Sequence, residues 1–323
     1  MNEFEKRLDL SELQEQITRL EAQMASHILG QNELITQLLI ALFGRGHVLI
    51  EGVPGVAKTM AAKALARCIG ADFSRIQFTP DLMPSDVLGT TIYNQKTQDF
   101  ELRKGPIYSN LVLIDEINRA PAKTQAALFE VMEEYQVSVD GHSIALQEPF
   151  MVLATQNPIE HEGTYRLPEA QLDRFMMKIH VGYPDESAEM NILAMHQHAT
   201  GKDPLSDIET ILSGAQLLDV RKLIRQVEAK PELLGYISAI IRGSRQFNGI
   251  FIGASPRAGV ALLNASKALA AMNGRDFITP EDVKYCALPV LRHRILLSPE
   301  KEMEGIQPDE LILSLLNQVE VPR

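Results

Sequence analysis

The stretch Gly52-Val53-Pro54-Gly55-Val56-Ala57-Lys58-Thr59 puts two glycines, a proline, a lysine and a hydroxyl side by side. An apolar run, His47-Val48-Leu49-Ile50, precedes it, and an Ala-rich stretch from Met60 to Ala66 follows. Strand, tight loop and helix in that order aim backbone N–H groups at one point. The helix N-terminus adds its unpaired donors and the positive end of its dipole. Such a cradle suits a phosphate, so Gly52 through Met60 is read as a phosphate-binding segment. Lys58 would reach the β- and γ-phosphates as a compact point charge, and the Thr59 hydroxyl would take one position on a bound magnesium. Ala57 stands where a second glycine usually sits, just before the lysine. Its methyl group is expected to be tolerable only if the backbone keeps φ below zero.

Asp115-Glu116 closes a second apolar run, Leu111-Val112-Leu113-Ile114. Carboxylates at a strand tip face the phosphate loop. Asp115 would hold magnesium through water, and Glu116 could orient and deprotonate an attacking water. Asn157 follows a third apolar run, Met151 to Ala154, and its amide could hold that water or the γ-phosphate. Arg174 ends a short helical stretch. It reads either as a surface ion pair or as a cation donated to a neighbouring subunit's nucleotide. Arg257 follows Ser255-Pro256, which suit a helix N-cap and first helical position. A cation in a first turn opposes the helix dipole, a mild penalty that suggests service to a ligand.

These residues need a scaffold. Helical spacing runs through Leu10, Leu13, Ile17, Leu20 and Met24, and a second helix covers 32–43. Strands are expected at 47–50, 73–78, 111–114, 151–154 and 177–181. Helices between them imply a doubly wound parallel sheet with its ligand at the strand C-termini. Segment 79–106, rich in proline and glycine, is expected to hold no long regular element. Asp140-Gly141 marks a hairpin within about 137–149. From 185 the pattern is helical, near 185–198, 215–228, 231–247, 256–273, 280–292 and 308–318, with no convincing strand. The expected division is an α/β nucleotide-binding domain over 1–184 and an all-α lid over 185–323.

The composition narrows the partners. With 31 Lys+Arg against 42 Asp+Glu the chain carries a net charge of −11, which disfavours a protein that coats nucleic acid. Cys68 and Cys286 lie far apart within helical patterns and read as buried thiols of a reducing compartment. No run reaches membrane-spanning length, so a cytoplasmic protein is expected. His196 and His198, two apart on a helix, point in different directions and read as solvated. Met176, Met177, Met190 and Met195 read as core filler, and Glu133-Glu134 as a solvated helix face.

The order of these motifs resembles the AAA+ ATPases, and their detail resembles the MoxR family. The carrying residues are Gly52–Thr59 with alanine before lysine, Asp115-Glu116-Ile117-Asn118-Arg119-Ala120-Pro121, Ala154-Thr155-Gln156-Asn157-Pro158, Glu162-Gly163-Thr164-Tyr165, Pro168 to Phe175, and Gly253 to Ala258. The resemblance implies that Lys58 and Thr59 belong to Walker A, and Asp115 and Glu116 to Walker B. It implies that Asn157 is sensor 1, Arg174 the arginine finger and Arg257 sensor 2. Ile28-Leu29-Gly30-Gln31 corresponds to the adenine pocket, 79–106 to a helix-2 insert, and 137–149 to the hairpin before sensor 1. Arg166 and His161 depart from the expected pattern in their loop. The implied fold is an AAA+ P-loop domain with a parallel five-stranded sheet and an α-helical lid. The implied cofactors are ATP and Mg²⁺, and the implied assembly is a homo-oligomeric ring, hexameric by expectation. The implied role is chaperone-like maturation of a protein client, including complex assembly and metal-cofactor insertion, with a separate von Willebrand factor A-domain partner. Two rival readings stand beside it, a nucleic-acid motor or transcription-type remodeller, and a nucleotide-gated scaffold with negligible turnover.

Overall fold

The computed structural model describes residues 8–157, 165, 167–197 and 203–322. Helices α1 (Ser11–His27) and α2 (Asn32–Phe43) lead into strand β1 (His47–Gly52), and α3 (Lys58–Cys68) follows the phosphate-type loop. Next come β2 (Phe73–Gln77), α4 (Pro84–Leu88), β3 (Gly89–Asn94) and β4 (Asp99–Lys104). Strand β5 (Leu111–Asp115), α5 (Ala122–Glu134), β6 (Gln136–Val139), β7 (His142–Ala145), β8 (Met151–Gln156), α6 (Glu169–Leu172) and β9 (Phe175–Val181) complete the α/β part. The C-terminal part comprises α7 (Glu186–Gln197), α8 (Gly214–Arg225), α9 (Pro231–Ser244), β10 (Ile250–Ile252), α10 (Pro256–Met272), α11 (Pro280–Leu291), β11 (Leu296–Leu297), α12 (Pro299–Met303) and α13 (Pro308–Gln318).

The five long strands form one parallel sheet in the order β2-β5-β8-β1-β9. Its central strands carry the buried apolar runs 48–50, 111–114 and 151–154, because both faces are covered. The pleat sorts their side chains. Val48, Ile50, Leu111, Leu113, Met151 and Leu153 join the core under α1–α3. Leu49, Val112, Ile114, Val152 and Ala154 join the core under α5. The first of these cores does not stop at the sheet. It runs on through Leu38 and Ile40 of α2 to Leu262 of α10, Val283 of α11 and Leu315 of α13. Helices α1 and α2 therefore lie between sheet and lid, and Arg221 of α8 pins this contact by donating twice to the Leu42 carbonyl, at 3.0 and 2.8 Å.

Three local expectations change. Segment 79–106 is not irregular: α4 and an antiparallel hairpin, β3 with β4, occupy most of it. Thr91 and Tyr93 stand opposite Leu102 and Phe100 across the hairpin, and the alternation of Phe100 and Leu102 with Glu101 and Arg103 is a period-2 signal that the glycines and prolines at its ends mask. The lid contains a short antiparallel pair, β10 with β11, too brief for a periodicity to register. Met190 and Met195 are exposed on α7 and fill no core, whereas Met176 and Met177 are buried. The hairpin at 137–149 is present as β6 and β7, with Asp140 and Gly141 at its turn and both at positive φ. Thr279 and Asp282 cap α11 reciprocally. No described helix is long and apolar enough to cross a membrane.

Candidate nucleotide site

Parallel order places the C-terminal ends of β5, β8 and β1 side by side. The residues that follow them are therefore neighbours at strand spacings of about 4.8 Å. Asp115 and Glu116 leave β5, Asn157 leaves β8, and the loop 53–57 leaves β1. At the loop's entrance, an added Cβ on Gly52 would stand 2.5 Å from the Val181 carbonyl oxygen, so only glycine lets β1 and β9 close there. Backbone N–H groups of Gly55, Val56 and Ala57 donate to no backbone carbonyl among the described residues. Uncommitted donors at the head of α3 fit a phosphate chain. The ammonium of Lys58 bends over the loop and donates to the Gly52 carbonyl at 2.5 Å.

Ala57 contradicts its expectation. It adopts φ +59° and ψ +18°, in the left-handed region, and serves as N-cap of α3. The loop geometry requires the glycine conformation and the alanine is held in it, at a cost of about 1 kcal/mol for an L-residue. Ala57→Gly should therefore leave the loop in place and raise resistance to urea by up to roughly 1 kcal/mol, since relief of strain is only partly offset by the freer unfolded chain. A lower urea midpoint for the variant would show that the methyl group contributes packing that outweighs the strain.

Both carboxylates at the tip of β5 are engaged. Asp115, only 11% exposed, accepts from the Arg75 Nε at 2.6 Å and from the Thr155 hydroxyl at 3.1 Å. Glu116 sits at φ +58°, and one of its oxygens accepts from Gln77 at 2.7 Å and from Arg119 at 2.9 Å. The Glu116 amide in turn donates to the Thr155 hydroxyl at 3.1 Å. Arg75, Gln77 and Thr155 escaped the sequence reading. Arg75 and Gln77 stand two apart on β2, hence on one face of it, and the register that sets Gln77 against Asp115 brings them to the carboxylates. The alternation was visible in Arg75-Ile76-Gln77; its partner strand was not. Asp115 and the Thr59 hydroxyl supply hard oxygen donors of the kind magnesium takes when phosphate oxygens and water complete its shell.

Segment 28–31 lies beside this site. Gly30 has φ +72°, and a Cβ on it would come within 2.6 Å of Ala188 and 2.9 Å of Pro184. Ile28 is fully buried in the core, and Gln31 donates from Nε2 to the Gly182 carbonyl at 3.0 Å, just past β9. Ile28, Leu29, Gly30 and Gln31 are thus fixed next to the end of the strand that flanks Gly52. Asn157 is the last described residue of its segment and is buried. Residues 158–164, with His161 and the Glu162-Gly163-Thr164 motif, lie outside the described residues, as do Arg166, the His196 side chain and His198.

Arg174 and Arg257 are elsewhere. Arg174 directly precedes β9, whose first residue, Phe175, pairs with His47 at the start of β1. The phosphate loop follows the other end of β1, about 20 Å away at 3.3 Å per residue. No arginine side chain spans that distance within its own subunit. Arg174 and Arg257 meet on Glu133, at the end of α5. Arg174 donates from Nε to Glu133 Oε2 at 2.9 Å, and Arg257 from Nη2 to Oε1 at 2.6 Å. The Arg257 hydrogen bond, followed by the nearby charges of both arginines, holds the Glu133 carboxyl below its usual range. Glu133 is exposed on its helix, as expected, and it also pairs: it offsets the misplaced charge of Arg257 in the first turn of α10 and gathers both cations in one cleft of about 270 Å³. Ser255 stands at the N-cap position, but its hydroxyl turns to Asp173 instead of capping α10.

The strand order, the phosphate-type loop after β1 and the acidic pair after β5 define an ATPase of the AAA+ class. The model of the ATPase family associated with various cellular activities (AAA) matches residues 47–177, and that of the AAA lid domain matches 243–315. Chaperone MoxR1 of Mycobacterium tuberculosis is 43% identical over 92% of this chain and 80% of its own, and Protein MoxR of Methylorubrum extorquens is 30% identical over 97% of each. A crystal structure of a candidate ATPase from Cytophaga hutchinsonii superposes with a TM-score of 0.89 at 42% identity, covering 96% of both chains. The chain belongs to the MoxR family of AAA+ ATPases.

Proposed function

We propose that this protein hydrolyses ATP with magnesium in a homo-oligomeric ring, hexameric in the first instance, and uses the cycle as a cytoplasmic chaperone acting on protein clients. The observation that carries the reading is the split of the chemistry between two ends of one sheet. Loop 53–57, Asp115, Glu116 and Asn157 gather at the strand C-termini, while Arg174 and Arg257 gather about 20 Å away at the opposite end. A site divided in this way is complete only where two subunits meet. The chaperone role comes from the relative named Chaperone MoxR1. Maturation of a complex, insertion of a metal cofactor and a von Willebrand factor A-domain partner are the forms that role takes under the family reading.

In this reading Lys58 and the amides of Gly55, Val56 and Ala57 bind the triphosphate, and Ile28 to Gln31 bind the base. Asp115 and Thr59 hold magnesium, which when bound neutralises charge on the phosphate oxygens. Glu116 takes the proton from the attacking water, and the Asn157 amide orients that water. Gln77 and Arg119 keep the Glu116 carboxylate in place. Arg174 and Arg257 leave Glu133 for the triphosphate of the adjoining subunit, because a nucleotide carries more negative charge than one carboxylate.

Lys58→Ala should abolish ATP binding, read by calorimetric titration, because the variant lacks the cation that bends over the loop. An unchanged affinity would sink the phosphate-site assignment. Turnover of the wild-type protein separates the client classes. DNA or RNA should leave turnover unchanged, and a several-fold, salt-sensitive stimulation would favour the nucleic-acid motor despite the net charge of −11.

A further inference from the structure

Arg294 is buried, with 2% of its side chain exposed, three residues past the end of α11 in the lid. An unpaired guanidinium there would be costly, so the surroundings of a buried one show what it is built to hold. It donates from Nε to Asp173 Oδ1 at 2.7 Å. From Nη2 it donates to the carbonyls of Asp173 at 3.1 Å and Phe175 at 2.6 Å. From Nη1 it donates to the carbonyls of Met176 at 2.9 Å and Val290 at 2.6 Å. Four of these five acceptors belong to residues 173–176, on both sides of Arg174. The neighbouring His293 donates from Nε2 to the same Phe175 carbonyl at 2.9 Å, which sets its tautomer, and burial keeps the ring neutral by pushing its pKa well below the usual value.

Part of this arrangement covers an edge. Strand β9 is the last of the sheet, and its outer carbonyls need donors. Edge covering explains the bonds to Phe175 and Met176. It does not explain why the Asp173 side chain is gripped on both oxygens from the lid. Oδ1 takes Arg294, and Oδ2 takes the Ser255 hydroxyl at 3.0 Å, from the residue that begins the helix carrying Arg257. Between the end of α6 at Leu172 and the start of β9 at Phe175 stand only Asp173 and Arg174. The first is locked to the lid by two elements, and the second projects to Glu133.

We infer that Asp173, Arg294 and Ser255 are positioning residues for Arg174: they clamp the joint before β9 to the lid, so the place at which one subunit presents Arg174 to its neighbour is set by that subunit's lid. The inference rests on the reading of Arg174 as a cation supplied across the subunit contact. A misplacement of about 1 Å at a reacting centre costs on the order of 10²-fold in rate. Loosening the clamp should therefore lower kcat without weakening ATP binding.

Asp173→Asn keeps the size of the side chain and removes its charge. Its kcat should fall roughly 10- to 100-fold, with the ATP affinity within about two-fold of wild type by calorimetry. The defect should be cured across the contact. Asp173→Asn chains have intact Lys58, and Lys58→Ala chains have an intact clamp, so rings mixed from the two should exceed the sum of the parents. Ser255→Ala, which deletes one hydroxyl at a part-buried position, should show the same pattern several-fold more weakly, and it carries the test if Asp173→Asn does not fold. A wild-type kcat for both variants overturns the inference. So does failure of either folded variant to be rescued, with mixing verified by native mass spectrometry, when Arg174→Ala is rescued by Lys58→Ala. In that case the clamp acts within its own subunit and the reading of Arg174 stands. If Arg174→Ala is not rescued either, the reading of Arg174 falls and the clamp falls with it.

Discussion

Replacing Arg174 by alanine should cut ATP turnover by about 10³- to 10⁵-fold, the worth of an arginine supplied to a phosphoryl-transfer transition state. ATP affinity should stay near that of the wild type, because Arg174 lies at the far end of β9 from its own phosphate loop. The fold should also survive. Arg174 is a quarter exposed, and its ion pair with Glu133 leaves that carboxylate a second partner in Arg257. Mixed with Lys58→Ala chains, Arg174→Ala should regain activity, since some contacts then join an intact Lys58 site to an intact Arg174. Verified mixed rings that stay inactive at every ratio would show that Arg174 is a structural ion pair and that the second subunit supplies another cation.

Glu116→Gln should bind ATP and hydrolyse it about 10²- to 10⁴-fold more slowly, the usual consequence of losing a general base. The substitution isolates the proton transfer. The glutamine amide oxygen can still accept from Gln77 and Arg119, and the left-handed backbone at φ +58° suits either residue equally. Single-turnover measurement with labelled ATP reads the chemical step alone. A variant that cleaves at the wild-type rate would move the base elsewhere. A variant that no longer binds ATP would show that Glu116 holds the loop and not the water. In the expected case the long-lived ATP state also becomes a tool, because a client trapped with it can be recovered and identified by mass spectrometry.

What the amino-acid order determined by itself is the set of chemical groups at the ends of strands. Each central strand holds an apolar run that gives way to polar residues at its C-terminal end, as in Ile114 followed by Asp115-Glu116. A parallel sheet carries all such stops to one edge. The phosphate loop, the acidic pair and Asn157 are local features of this kind, and so are the proline and hydroxyl that start α11. The tertiary structure decided what depends on partners far along the chain. Glu133 meets Arg174 across 41 residues and Arg257 across 124, and Arg294 meets Asp173 across 121. Nothing in the flanking residues marks such pairs, because the choice between a solvated carboxylate and a bridging one is made by which helix packs beside it. Arg75 and Gln77 reach Asp115 and Glu116 only through the register of β2 on β5. Ala57 is the clearest case. Intrinsic preference places alanine at negative φ, but the loop between β1 and α3 is held at both ends by the sheet and the core, and that closure imposes the left-handed turn on whatever residue stands there.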